Sequence, residues 1–142
     1  MRTDRGTGID QCNCNALRKA ARRVTHYYDT CLAPSGLRVT QFAILALLHE
    51  RKNLSVGDLA DALDLDRTTA GKNLRPLERA GLIQVAVDEM DARSRRVDLT
   101  QKGATALAAA TPLWQAAQMH FERKIGPSAA ADLRRTLAGI VI

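Results

Sequence analysis

Apolar positions recur with a helical period along most of the chain and switch to an alternating period once. Six segments carry apolar residues three or four positions apart, the spacing that lines one side of an α-helix. After Gly81 the period becomes two, with Ile83, Val85 and Val87 on one face, and Arg95 to Leu99 reads as a returning strand. The pattern predicts a mainly α chain with a small β-hairpin.

Two consecutive short helices stand at the centre of this pattern. Ser55 and Asp58 have the spacing of a capping box that opens a helix running to Leu63. Asp66 is placed to cap the next helix, because its carboxylate can accept from the free N–H groups of the first turn. Gly81 follows the last apolar position and suits a left-handed helix end. The tight connection between the two helices indicates a helix-turn-helix.

The second of these helices combines an apolar stripe with a basic face. Ala70, Leu74 and Leu77 form the stripe. Three cations and two threonines lie away from it: Arg67, Thr68, Thr69, Lys72 and Arg75. In a DNA major groove, arginine pairs with guanine or phosphate, and threonine contacts phosphate or a thymine methyl. Taken alone, this helix is explained equally well by a solvated surface face.

The hairpin adds a second basic element directly after that helix. Its polar tip runs from Asp88 to Ser94 and includes Arg93, and Arg95 and Arg96 follow on the returning strand. A wing of this kind reaches the neighbouring minor groove, where arginine responds to the negative potential. Its position beside a recognition-like helix favours DNA binding over a charged surface hairpin.

The remaining helices lie outside the helix-turn-helix and have apolar faces without a partner. They are the first helix, a long helix from Gln101 to Lys124, and a last helix. Thr100 is the predicted cap of the long helix and Ser128 that of the last helix. Thr40 is the predicted cap of the second helix, which follows the first. A second copy of the chain is the economical partner, because a two-fold dimer also supplies two DNA half-sites. We expect residues 1–36 to form an arm and first dimerisation helix, 37–100 a winged helix-turn-helix, and 101–142 further dimerisation helices.

Composition agrees with a DNA-binding chain without requiring one. The 142 residues suffice for one ordinary domain, and the net charge of +6 with a pI of about 9.7 suggests a polyanionic partner. No stretch approaches the roughly 20 apolar residues of a membrane span, so no membrane partner is expected. Three cysteines, an odd count, and a polar N-terminus without the apolar run of a signal peptide favour a reducing cytoplasm.

Several short motifs in this order resemble the MarR family of winged-helix transcriptional regulators. They are Ser55-Val56-Gly57-Asp58-Leu59-Ala60, Asp66-Arg67-Thr68-Thr69, Leu77-Glu78-Arg79-Ala80-Gly81-Leu82-Ile83, Asp91-Ala92-Arg93 and Leu99-Thr100-Gln101-Lys102-Gly103. The likeness covers nearly the whole chain from about Asn13. It implies a homodimer held by the first and last helices, a recognition helix in the major groove and a wing in the minor groove of a pseudo-palindromic operator.

The resemblance also assigns roles to single residues. It places on the major-groove face Thr68, Thr69, Lys72 and Arg75. Arg93 resembles the family's wing arginine, positioned by Asp91, with Arg95 as a second candidate. The chain departs from the family at Gly71, where many relatives have a threonine or serine that points at DNA.

Two mechanisms by which the protein could be released from DNA are consistent with the sequence. Many MarR proteins release DNA when a small phenolic or lipophilic molecule enters a cleft between the DNA-binding and dimer helices. By resemblance the cleft residues are Tyr28, Leu37, Phe42, Leu45 and Trp114, although ordinary core packing explains each of them as well. Cys12 and Cys14 lie near a helix start, where N–H dipoles favour a thiolate, and are candidate redox sensors; chance surface cysteines are the alternative.

Other functions fit the residues less well. His26, His49 and His120 have no acidic neighbour at metal or triad spacing, and no Gly-rich phosphate loop is present, so we expect no catalysis and no cofactor. A zinc-sensing regulator is an alternative, but Cys12-x-Cys14 lacks the paired spacing of structural zinc sites. A non-specific architectural DNA binder is another. We therefore predict a sequence-specific regulator of transcription, a repressor released by a small ligand or by thiol oxidation.

Overall fold

Six α-helices and a three-stranded antiparallel sheet make up residues 6–142, the part of the chain that this computed structural model describes. The helices are α1 (Asn13–Leu32), α2 (Val39–Glu50), α3 (Val56–Ala62), α4 (Arg67–Arg79), α5 (Gln101–Ile125) and α6 (Pro127–Ala138), and the strands are β1 (Leu54–Ser55), β2 (Ile83–Val87) and β3 (Arg95–Leu99). The predicted fold class, a winged helix-turn-helix with additional helices, is confirmed.

The core of the molecule forms around α2. Ile44 and Leu45 on α2 are almost completely buried, and Leu59 of α3, Leu77 of α4 and Val97 of β3 pack into the same cluster. Burial of each such side chain contributes roughly 1.5–3 kcal/mol relative to leaving it in water. Because α2 is apolar on nearly all sides, it joins the helix-turn-helix, the sheet and α5 into one unit.

The sheet is larger than the predicted hairpin. β2 and β3 pair in the expected register, with Ile83 opposite Leu99 and Val87 opposite Arg95. On its other edge β3 also pairs with β1, a strand that the sequence analysis did not predict. Two residues are too few to show an alternating pattern, so this strand exists only through its partner.

Two predicted helix caps are wrong. α2 begins at Val39, before Thr40, and its first N–H groups are bound by side chains: Asp29 Oδ1 accepts from Val39 N at 2.8 Å, and Gln41 Oε1 accepts from Arg38 N at 3.0 Å. α6 begins at Pro127, before Ser128. Proline suits the first helical position, because its missing N–H would lack a partner there in any case. In both cases the cap and the helix start lie two residues earlier than predicted, with Arg38 and Gly126 at the N-cap positions.

The end of α4 is held by the start of α5, and we call residues 80–82 together with 100–103 the α4–α5 junction. Lys102 Nζ donates to the carbonyl of Ala80 at 2.8 Å, and Thr100 Oγ1 donates to the carbonyl of Gly81 at 2.6 Å. The carbonyl of Leu82 accepts from Thr100 N at 3.1 Å. Thr100 also accepts from Gly103 N at 3.0 Å, which confirms it as the cap of α5.

The N- and C-terminal helices pack on one another but leave apolar side chains in contact with solvent. The hydroxyl of Tyr28 on α1 donates to Gln118 Oε1 on α5, and Ala130 of α6 is buried against them. Leu133 and Leu137 on the same helix remain about 40% exposed. These helices therefore present a face that the described chain does not cover.

No single helix in residues 6–142 is long and apolar enough to cross a membrane. The segments Asn13–Ser35 and Val39–Glu50 reach the necessary length and composition only when taken together, and they are bent by 72° relative to each other.

We predict that Gly103→Ala destabilises the protein by roughly 1–3 kcal/mol or more, because steric overpacking costs that much and the contact here is with backbone. An added Cβ would lie 2.0 Å from the carbonyl oxygen of Leu82. The measurement is urea unfolding at one fixed protein concentration. Gly57→Ala, also near a helix start but with no atom closer than 3.5 Å, is the matched control. Equal unfolding midpoints for the two variants would contradict the prediction.

Candidate nucleic-acid interface

The start of α4 is fixed by the carboxylate of Asp66. Its Oδ1 accepts from Thr69 N at 2.7 Å, and its Oδ2 accepts from Thr69 Oγ1 at 2.9 Å. The hydrogen bond from the Thr69 N–H, followed by that from the Thr69 hydroxyl, lowers the pKa of Asp66 below its ordinary value. Thr69 therefore already donates its hydroxyl proton within the chain and can only accept from an outside partner.

The apolar stripe of α4 faces the core and leaves a basic face outside. Ala70, Leu74 and Leu77 are at most 4% exposed. The side chains that lie exposed on the other side are Thr68, Lys72, Arg75 and Arg79. Arg79 was missed by the sequence analysis, although it follows Lys72 by seven positions and therefore lies on the same face two turns later. The exposed face of α4 thus extends over its whole length.

Arg67 points away from this face, toward the wing. It lines a cleft of about 420 Å³ together with Arg93 and Arg95, between the start of α3 and the hairpin. It passes beside Gly57, where an added Cβ would lie 3.5 Å from the Arg67 guanidinium, an ordinary van der Waals contact. We call this the three-arginine cleft; the remaining residues that line it are Ser55, Val56, Gly57, Asp91 and Ser94. Three guanidinium groups around one open cleft suit an anionic group such as a phosphate.

The wing is shaped by two aspartates. Asp91 Oδ1 accepts from Arg93 N at 3.0 Å, so Asp91 positions the backbone of this arginine. Asp88 Oδ2 accepts from Arg96 Nε at 3.1 Å, and the Arg96 guanidinium also donates to the carbonyl of Asn53. Of the three arginines of the wing, Arg96 is thus engaged within the fold, whereas Arg93 at the tip and Arg95 on β3 are exposed.

Comparison with known proteins identifies the architecture. A model of the MarR family matches residues 37–94. The crystal structure of the Mycobacterium tuberculosis transcriptional regulator MosR in complex with DNA is 37% identical, with 88% of this chain and 92% of that chain covered and a TM-score of 0.80. The chain belongs to the MarR family. The family predicted from the sequence is therefore confirmed.

Curated MarR-type relatives match over shorter segments. The HTH-type transcriptional regulator TtmR of Methylorubrum extorquens is 34% identical over 67% of this chain and 49% of its own length. The organic hydroperoxide resistance transcriptional regulator of Bacillus subtilis is 33% identical over 64% of this chain and 62% of its own length. The matches thus span between about half and three fifths of these relatives.

The five residues assigned to an effector cleft by the MarR resemblance do not line one common cavity, although Trp114 packs against the core cluster that contains Leu37, Phe42 and Leu45. Phe42 and Trp114 line a cavity of about 390 Å³ between α2 and α5, with ring centroids 5.4 Å apart. Tyr28 lines a different cavity, among α1, α5 and α6, and burial raises the pKa of its hydroxyl. Leu37 and Leu45 are buried in the hydrophobic core. Only two of the five therefore meet in one cavity.

The cysteines of this MarR chain have different surroundings. Cys12 is the N-cap of α1, and its Sγ accepts from Asn15 N at 3.4 Å. Cys14 is exposed, whereas Cys31 is half-buried beside Tyr27. A hydrogen bond with Cys31 is the main reason why the pKa of Tyr27 is raised. Within residues 6–142, no three His, Cys, Asp or Glu side chains come together in a way that could hold a metal ion.

The cap of α4 predicts a pH dependence of stability. The pKa of Asp66 is lower in the folded chain, so its contribution is complete above the unfolded value and is lost as the pH falls through the folded value. We expect the urea midpoint of wild type to exceed that of Asp66→Asn at neutral pH and to approach it in acid, because the amide oxygen accepts without titrating. Asp66→Ala, which lacks any cap, should lie below both at neutral pH. A wild-type advantage over Asp66→Asn that does not change with pH would contradict this.

Proposed function

We propose that this chain is a homodimeric, sequence-specific double-stranded DNA-binding regulator of transcription that acts as a repressor at a pseudo-palindromic operator. The observation that carries the proposal is that a capped helix with an exposed basic face, α4, stands beside the three-arginine cleft of the wing. An α-helix of this kind fits a major groove, and the cleft fits the adjacent phosphates. The similar structure of MosR, which is a complex with DNA, supports DNA as the partner.

The three segments of the chain have different roles in the proposed function. Residues 37–100 bind DNA, and residues 1–36 and 101–142 hold two copies together. Support comes from an open apolar cavity of about 550 Å³ among α1, α5 and α6, continuous with the exposed faces of Leu133 and Leu137. Exposed apolar surface of this kind marks an interface with another chain. The proposal assigns no catalytic step, metal or cofactor, and places the protein in the cytoplasm.

The test of this proposal combines sedimentation with selection of DNA from a library of duplexes that have a randomised core. We expect a dimer at micromolar concentration, and selected sequences with inverted half-sites about one helical turn, or 34–36 Å, apart. Leu133→Arg, which adds a charge to the proposed interface, should give monomers and weaken operator binding. A monomeric wild type, or tight specific binding to a single half-site, would contradict the proposal.

The exposed face of α4 and the wing should contribute differently to DNA binding. Arg93→Ala should weaken binding to all sequences, because a wing arginine responds to groove shape and charge. Thr68→Ala or Lys72→Ala should instead change the preferred sequence, at roughly 1–3 kcal/mol per lost base contact. Competition among randomised half-sites measures both effects, and Lys19→Ala on α1 controls for the loss of one charge. Equal losses on every sequence for all three variants would favour a non-specific architectural binder.

Release from DNA has two proposed routes. In the first, a small, largely apolar molecule enters the cavity between α2 and α5 that holds Phe42 and Trp114. In the second, an oxidant acts on Cys12 and Cys14, a route supported by the name of the Bacillus subtilis relative. Residues two apart on a helix are turned by about 200°, so a bond between these sulfurs needs the helix start to open or a second chain to approach.

The thiol route predicts that peroxide lowers DNA affinity and that a thiol reductant restores it. The physical reason is that Cys12 caps α1, so its oxidation removes the acceptor for Asn15 N and disturbs the dimer helices. The measurement is a DNA titration with and without peroxide for wild type and for Cys12→Ser, Cys14→Ser, with Cys31→Ser as control. If the double variant stays as sensitive as wild type, these two thiols are not the sensor.

A further inference from the structure

Gly71 occupies the middle of the recognition helix α4, where glycine is unfavourable. Glycine loses more backbone entropy in a helix than any other residue, and alanine is the most favourable replacement. Such a glycine is normally explained by a backbone conformation or a close contact that excludes a side chain. The backbone φ of a glycine shows whether the first explanation applies, and the space around an added Cβ shows whether the second does.

The fold itself gives no reason for Gly71. Its backbone is not left-handed, unlike that of Gly81. An added Cβ at Gly71 would meet nothing within 4 Å, whereas at Gly103 it would lie 2.0 Å from the carbonyl of Leu82 and at Gly57 it would touch Arg67. Among the glycines inside the described helices, Gly71 alone thus has open space around it. The reason for a glycine here lies outside the chain.

The open space at Gly71 borders the exposed face of α4, which the proposed function places against DNA. Along an α-helix, the surface neighbours of a residue are three and four positions away. For Gly71 these are Arg67, which turns into the three-arginine cleft, the buried Leu74, and the exposed Thr68 and Arg75. Gly71 itself is half-buried, and Lys72 follows it on the exposed face. The exposed face of α4 thus has a position without a side chain at its edge, beside polar groups.

We propose that Gly71 is a specificity-determining residue, and that the open space at this position admits a thymine methyl group in the major groove. The methyl is the one apolar group that base pairs project into that groove, and a glycine Cα offers it an apolar contact without a clash. This inference rests on the proposed DNA-binding function and deepens it. An alanine at residue 71 would fill the space that the methyl needs.

The first experiment separates folding from recognition. Gly71→Ala should raise Tm by about 2–4 °C, because alanine favours the helix and nothing in the fold collides with it. The same variant should bind the duplex that wild type selects from a randomised library about tenfold more weakly per half-site, hence about 100-fold for the dimer. Its affinity for an unrelated duplex should not change. Gly139→Ala, whose Cβ would make only ordinary contacts, is the control for a glycine-to-alanine change outside α4.

The second experiment identifies the group in the open space at Gly71. Each thymine of the selected duplex is replaced in turn by deoxyuridine, which lacks only the methyl. At one position per half-site, wild type should lose affinity, whereas Gly71→Ala should recover part of its loss. This reversal is specific to a methyl at residue 71 and would not follow from a general weakening of the helix.

Three results would overturn the inference. The first is that Gly71→Ala binds the selected duplex as tightly as wild type does. The second is that this variant weakens binding equally on all duplexes. The third is that deoxyuridine has the same effect on both proteins at every position. Failure of the proposed function has a different signature. In that case wild type enriches no sequence from the library, and the inference about Gly71 falls with it.

Discussion

The orientation of the recognition helix depends on the α4–α5 junction. Three consecutive carbonyl groups, at Ala80, Gly81 and Leu82, have no helical partner and receive hydrogen bonds from Lys102 and Thr100 instead. Gly103 brings the two backbones into a contact that even a methyl group would prevent. Unbound carbonyls at a helix end are costly when they are not in water, so the start of α5 and the end of α4 stabilise each other. In the proposed function, a rotation of α5 would therefore be transmitted to α4.

The basic residues of the winged unit are not equivalent, although they contribute equally to the net charge. Lys72, Arg75 and Arg79 are exposed on α4, Arg67 turns into the three-arginine cleft, and Arg96 is engaged within the fold. A count of charges would assign all of them to the polyanion. In the proposed function, the exposed residues of α4 face base edges and Arg67 faces phosphates, whereas Arg96 stabilises the wing itself. Side-chain position thus carries more information about recognition than total charge does.

Features that depend on neighbours along the chain could be predicted from the sequence, and features that depend on distant partners could not. The caps at Ser55, Asp66 and Thr100 bond to N–H groups three residues later, so local spacing sufficed to find them. The cap of α2 comes from Asp29, ten residues before the N–H it binds, and no local pattern shows this. The same limit explains why β1 was missed and why the five residues assigned to one effector cleft do not all line one cavity. Side chains that share an apolar pattern need not share a cavity.

Arg96 has a consequence for the thermodynamics of DNA association. Its guanidinium links Asp88, on the β2 side of the wing, to the carbonyl of Asn53, in the turn before β1. The hairpin and the segment that leads into α3 are thereby joined before any DNA arrives. A loop that is already ordered loses less conformational entropy on binding, and more of the energy of each phosphate contact then remains as affinity. In the proposed complex, Arg96 thus reduces the entropic cost of DNA binding by Arg93 and Arg95 through its bonds within the fold.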